Sequence, residues 1–116
     1  MAEYAHFIHV EDSDDLIVSF GLGEQAATSL TLLRTPKYEP LLFEEERGVS
    51  VGTGDTDTKH RELLATVKWS ESLVQIESTI RHYTLDVRAV DPAEIQDAKR
   101  VLRKMNFDSS FKMEDV

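Results

Sequence analysis

Up to about residue 90 the chain alternates short apolar runs with polar turns; beyond that its apolar positions take a helical spacing. Phe7-Ile8-His9-Val10 reads as a first strand. Leu16-Ile17-Val18-Ser19-Phe20 reads as a second, with Leu16, Val18 and Phe20 on one face and Gly21-Leu22-Gly23 ending it. Glu11-Asp12-Ser13-Asp14-Asp15 is the turn between them. Thr28 to Arg34 is a β-branched and Leu-rich run that Pro36 stops. A loop with Pro36 and Pro40 leads to Leu41-Leu42-Phe43. Gly48-Val49-Ser50-Val51-Gly52 is a short strand bounded by glycines, and Thr53 to His60 is a polar, turn-rich loop.

The second half has cleaner patterns. Leu63, Ala65, Val67 and Trp69 alternate with Leu64, Thr66 and Lys68, which predicts a strand with one strongly apolar face. Ser70-Glu71-Ser72 makes a tight connection to a return strand carrying Val74 and Ile76. Tyr83, Leu85, Val87 and Ala89 alternate in a third strand. Asp91-Pro92-Ala93-Glu94 then starts a helix, with Asp as N-cap, Pro at the first helical position and Glu near the positive end of the dipole. Ile95, Ala98, Leu102 and Met105 form its packing stripe, Lys99, Arg100, Arg103 and Lys104 lie toward its C-terminal end, Asn106 is the expected C-cap, and Phe107 folds back as an anchor. The pattern predicts one α+β domain over residues 1–107. Its core is an antiparallel, curved sheet or small sandwich of about seven short strands with the C-terminal helix packed on it. Residues 108–116 are expected to be a flexible tail.

Composition narrows the function. The 116 residues include no cysteine, which excludes disulfide scaffolds, a cysteine nucleophile and thiolate metal sites. Asp and Glu outnumber Lys and Arg by 22 to 13, a net charge of −9 that disfavours direct binding to nucleic acid or to an anionic membrane. No apolar stretch reaches membrane-spanning length, and the first residues lack the pattern of a secretory signal, so a cytoplasmic location is expected. The whole imbalance falls in residues 1–58, which hold 12 acids and three bases, while residues 59–116 are neutral. Chemistry is sparse. His6 and His9 are three apart and point to opposite faces of a regular strand. The Gly48–Gly54 stretch lacks the Gly-Lys-Ser/Thr end of a phosphate loop, Asp55-Thr56-Asp57 lacks EF-hand spacing, and no Gly-x-Ser-x-Gly elbow is present. No enzyme activity, metal or cofactor is expected.

Three acidic clusters remain: Glu11, Asp12, Asp14 and Asp15; Glu44, Glu45 and Glu46; and Asp55 with Asp57. Such a field steers a basic partner and raises its association rate. The order of features, Glu11 to Gly21, Leu30-Thr31-Leu32-Leu33-Arg34, Gly48 to Asp55, Leu63 to Glu77, Tyr83 to Ala89 and Asp91 to Phe107, resembles the immunity protein 10 family of bacterial polymorphic toxin systems. Thr56 to Glu62 departs from that pattern, with fewer Gly and aromatic residues. The resemblance implies a protein that binds and neutralises a cognate toxin, with no catalysis and no cofactor. The partner would be a basic toxin domain, a nuclease being one candidate. The three clusters would supply the contacts, with Tyr38 and Phe43 as anchors beside them. Two alternative readings use the same residues: an acidic nucleic-acid mimic that inhibits a DNA-binding enzyme, and a small accessory or ligand-binding domain.

Overall fold

Leu16, Val18, Phe20 and Leu22 are buried, and Ile17 and Ser19 between them are half-buried, so strand β2 (Leu16–Leu22) presents one face to the core. The computed structural model describes residues 3–23, 28–43, 47–53 and 62–115. It places β2 between β1 (Glu3–Asp12) and β3 (Thr28–Arg34), antiparallel to both. β4 (Ser50–Thr53) adds to the far side of β3. A second antiparallel meander follows, of β5 (Leu64–Trp69), β6 (Leu73–Ser78) and β7 (His82–Asp86). Then come helix α1 (Pro92–Met105) and β8 (Lys112–Asp115).

The protein is thus a mixed α+β fold with one eight-stranded open sheet, in the order β4-β3-β2-β1-β7-β6-β5-β8, and one C-terminal helix. Two expectations are corrected. The strands number eight, not about seven, and two pairings are parallel: β1 with β7 through Glu3–Leu85 and Tyr4–Asp86, and β5 with β8 from Thr66–Lys112 to Trp69–Asp115. β8 lies inside the segment read as tail. Its sequence Lys-Met-Glu-Asp has no apolar alternation, and tertiary contacts make it a strand: Phe111 just before it is buried, and Met113 packs on the core.

Three boundaries also differ. The strand read through Ala89 ends at Asp86, because the Arg88 N–H donates to Asp86 Oδ1 at 3.0 Å and turns the chain. The loop before Leu41 is a 3-10 helix over Pro36–Leu41. The strand read over 48–52 runs from Ser50 to Thr53.

The sheet is coiled. Phe20 on β2 and Trp69 on β5 stand four strands apart in the sheet order, which would separate them by roughly 19 Å in a flat sheet. Their ring centroids are 6.5 Å apart. Coiling also brings the outer edge of β4 to the start of β5, where Ser50 and Leu63 form an antiparallel bridge.

A bulge in β1 sets its parity. The pairing shifts between Ala5–Leu22 and Phe7–Gly21, so Ala5 and Ile8, three residues apart, are both buried. His6 and His9, read as pointing to opposite faces, are both exposed. Past Tyr4, where β7 leaves β1, the helix takes over: the Ile8 N–H donates to Glu94 Oε1 at 2.8 Å. The helix begins as expected, with Asp91 accepting from the Ala93 N–H at 2.9 Å. Asp91→Ala is expected to lower stability by about 1 kcal/mol, read as a Tm about 4 °C lower by calorimetry.

Candidate functional site

The alternation that buries Leu30 and Leu32 in β3 also carries Arg34 to the core face, where it is 2% exposed. Every N–H of its guanidinium is engaged. Nε and Nη2 donate to the two carboxylate oxygens of Glu39 at 2.7 and 2.8 Å. Nη1 and Nη2 donate to those of Asp108 at 2.9 and 2.8 Å. Nη1 also donates to the Met105 carbonyl at 2.7 Å, at the end of α1, and to Ser110 Oγ at 3.0 Å. The Phe107 ring lies 4.3 Å from the guanidinium carbon. Burial opposes the charge on Arg34, but the hydrogen bonds to Asp108 and Glu39 outweigh it and raise its pKa. The Arg34 guanidinium in turn holds the Asp108 carboxyl down at about 2.

This buried cluster fixes the 3-10 segment from below. Glu39 is that segment's one buried residue, and Arg47 Nε braces its carbonyl at 3.0 Å. Above the cluster the segment and the residues after it are apolar and exposed: Tyr38 is 56% exposed, Leu41 82% and Phe43 73%. Pro36 and Pro40 restrict the backbone here, so these side chains project from a stiff support.

The turn between β1 and β2 borders the segment. Thr35 Oγ1 donates to Asp15 Oδ1 at 2.7 Å, and Lys37 Nζ donates to Asp14 Oδ2 at 3.4 Å while lying 5.7 Å from the Tyr38 ring centroid. The Asp14 side chain is 77% exposed. The structure therefore brings together Asp14, Asp15 and Tyr38 among the residues singled out from the sequence, with Phe43 on the same stretch of chain.

Asp12 faces the other way. Its carboxylate accepts from Lys104 Nζ at 2.8 and 3.0 Å and from Arg100 Nη1 at 2.7 Å, contacts that lower its pKa. Glu11 lies on the outer sheet face, with Oε1 3.5 Å from His9 Nε2. Glu44, Glu45, Glu46, Asp55 and Asp57 lie outside the described residues. Arg34, Glu39, Asp108 and Leu41 were not singled out as site residues. The signal for Leu41 was an apolar triplet, Leu41-Leu42-Phe43, set after two prolines in a polar loop. The signal for Arg34 was its position two residues after Leu32 on an apolar face.

A second polar cluster is structural. Ser78 Oγ and Tyr83 OH both donate to Glu62 Oε2, at 2.5 and 2.7 Å. Burial, with Glu62 beside it, pushes the Tyr83 hydroxyl up to about 12, so it stays a protonated donor that pins the β5–β6–β7 meander. Among the described residues no group of three or more His, Asp or Glu could hold a metal ion, and no helix is long and apolar enough to cross a membrane. The arrangement at the 3-10 segment suits binding: exposed apolar side chains on a stiff support, flanked by carboxylates. Comparison with family models, with curated proteins and with solved structures finds no match for this chain.

Proposed function

We propose that this chain is an immunity-type protein that binds and neutralises a basic toxin domain in the cytoplasm, using the β1–β2 turn and the 3-10 segment as its contact surface. One observation carries the reading: Tyr38 is exposed on a braced 3-10 segment whose start is bonded to Asp14 and Asp15, and exposed Leu41 and Phe43 follow on the same stretch of chain. Exposed apolar groups rimmed by like charges are a usual composition for a protein-binding site. The carboxylates steer a cationic surface into place, and the apolar side chains supply the anchors. Neutralisation follows from occlusion, with no reaction step. The resemblance of feature order to immunity proteins supports this reading, as does the concentration of negative charge in residues 1–58.

The test is affinity capture from the source organism followed by binding kinetics. Recovery of a toxin domain encoded by an adjacent gene, at about 1:1, is expected; recovery only of DNA-binding enzymes would favour the mimic. With the captured toxin, Tyr38→Ala is expected to weaken binding by about 30-fold, mostly through faster dissociation. Asp14→Lys with Asp15→Lys is expected to slow association about tenfold at low salt and to flatten its salt dependence. Unchanged kinetics in both variants would place the contact elsewhere.

A further inference from the structure

Among the described residues, two of the strand edges without a neighbouring strand are met by other parts of the chain. The outer edge of β4 is occupied by the stretch before β5: the Val51 N–H donates to the Glu62 carbonyl at 2.9 Å and the Leu64 N–H to the Val49 carbonyl at 2.8 Å. Where β7 leaves β1, Glu94 accepts the Ile8 N–H. β8, at the other end of the sheet, has no strand on its outer side among the described residues. An open edge presents unpaired backbone donors and acceptors that template a further strand.

The side chains of β8 specify what that strand is. Lys112 and Glu114 share the outer face, lining a groove of about 210 Å³ with Thr66, Lys68, Gln75 and Glu77, while Met113 packs on the core side. Directly opposed residues of an antiparallel pair lie on the same face. A two-fold axis through Met113 therefore sets Lys112 of one copy against Glu114 of the other, twice, and Met113 against Met113. Within one chain Lys112 Nζ already lies 3.0 Å from Glu114 Oε1 and Lys68 Nζ 3.7 Å from Glu114 Oε2, so the two-fold sets these ion pairs side by side in alternating sign, and the edge is in register with itself. We infer that β8 is a self-pairing edge, through which two copies of this chain join antiparallel about Met113 into a continuous sheet. The contact is isologous and closes at two copies. A three-residue overlap buries much less than the ~1,000 Å² of a lasting interface, so the dimer is weak and concentration-dependent. It leaves the 3-10 segment outside the contact and is independent of the function proposed above.

Sedimentation of the full chain from about 10 μM to about 1 mM tests this, as that range spans weak association. The mass is expected to rise from 13.2 kDa toward twice that value. Lys112→Glu sets like charges opposite each other at both pairs and is expected to reduce association about tenfold. Adding Glu114→Lys to that variant reverses the charges and is expected to restore it. A mass of 13.2 kDa at every concentration overturns the inference. So does a dimer that Lys112→Glu leaves intact, or a double variant as weak as the single one.

Discussion

Arg34→Leu is expected to destabilise the protein by about 3–5 kcal/mol, a large share of the ~5–15 kcal/mol of an ordinary domain. The loss does not come from the salt bridges as such. A buried ion pair is often worth little against a well-packed apolar replacement; removing one partner strands the other. Here leucine leaves the buried Glu39 carboxylate without its fork and the Met105 carbonyl without its donor. Arg34→Lys keeps the charge but offers no planar fork, so it is expected to recover only part of the loss. Arg34→Leu with Glu39→Leu is expected to be more stable than Arg34→Leu alone, because it removes the stranded charge. Urea titrations of the four proteins decide this. Equal stability of wild type and Arg34→Leu would show that the cluster contributes nothing.

The same cluster gives a pH signature. The Asp108 carboxyl is depressed from an ordinary 3.8 to about 2 in the folded state. A depressed carboxyl contributes stability that is fully present above its unfolded pKa and is lost as pH falls through its folded value. Wild-type stability is therefore expected to fall between about pH 4 and pH 2 more steeply than that of Arg34→Leu, in which Asp108 has lost the cation that depresses it.

Trp69→Ala is expected to cost about 3–5 kcal/mol, the usual range for emptying a large aromatic site in a core. Trp69 is buried, sits beside Phe20 across the coiled sheet, and carries the Lys99 ammonium 5.4 Å from its ring. Its ring neighbours Phe20 and Lys99 come from β2 and α1, so the cavity cannot collapse by moving one element. Trp69→Phe is expected to cost much less, about 1.5 kcal/mol or below. The buried indole Nε1 has no hydrogen-bond partner among the described residues, so phenylalanine removes an unsatisfied donor while keeping most of the apolar contact. Thermal unfolding followed by circular dichroism separates the two; equal losses would mean that the N–H is well satisfied.

What the sequence made legible follows from where local pattern and tertiary packing agree. Asp91-Pro92 and the stripe through Ala98, Leu102 and Met105 mark a helix whose cap and buried face are those observed. β2 and β6 are legible because one face is buried along their length, so alternation shows in the residues themselves. In β5 a bulge between Leu64 and Thr66 breaks the expected alternation, so Leu64 is buried and Ala65 exposed, and only Val67 and Trp69 face inward as read. β8 carried no such signal: it is a strand because β5 offers it an edge. The β1 bulge is a backbone event at His6 that no side chain announces, and it reverses which later residues face inward. The site divides in the same way. Asp14, Asp15 and Tyr38 are exposed where turn chemistry and prolines placed them. Asp12 was counted with them by sequence adjacency, yet strand parity turns it toward Arg100 and Lys104. Arg34 read as one more base in an acidic half, since a charged residue on an apolar face shows its partners only once residues far along the chain are folded against it.

That distance has a kinetic side. Arg34 and Asp108 are 74 positions apart, and loop closure over such separations comes late relative to local pairing. During synthesis the β1–β2–β3 meander is complete long before Met105, Asp108 and Ser110 leave the ribosome. The 3-10 segment can form early, but its anchor through Arg34 waits for the end of the helix. A nascent chain therefore carries the Asp14 and Asp15 carboxylates well before the 3-10 segment beside them is braced, since that bracing waits for Met105, Asp108 and Ser110 to fold against Arg34.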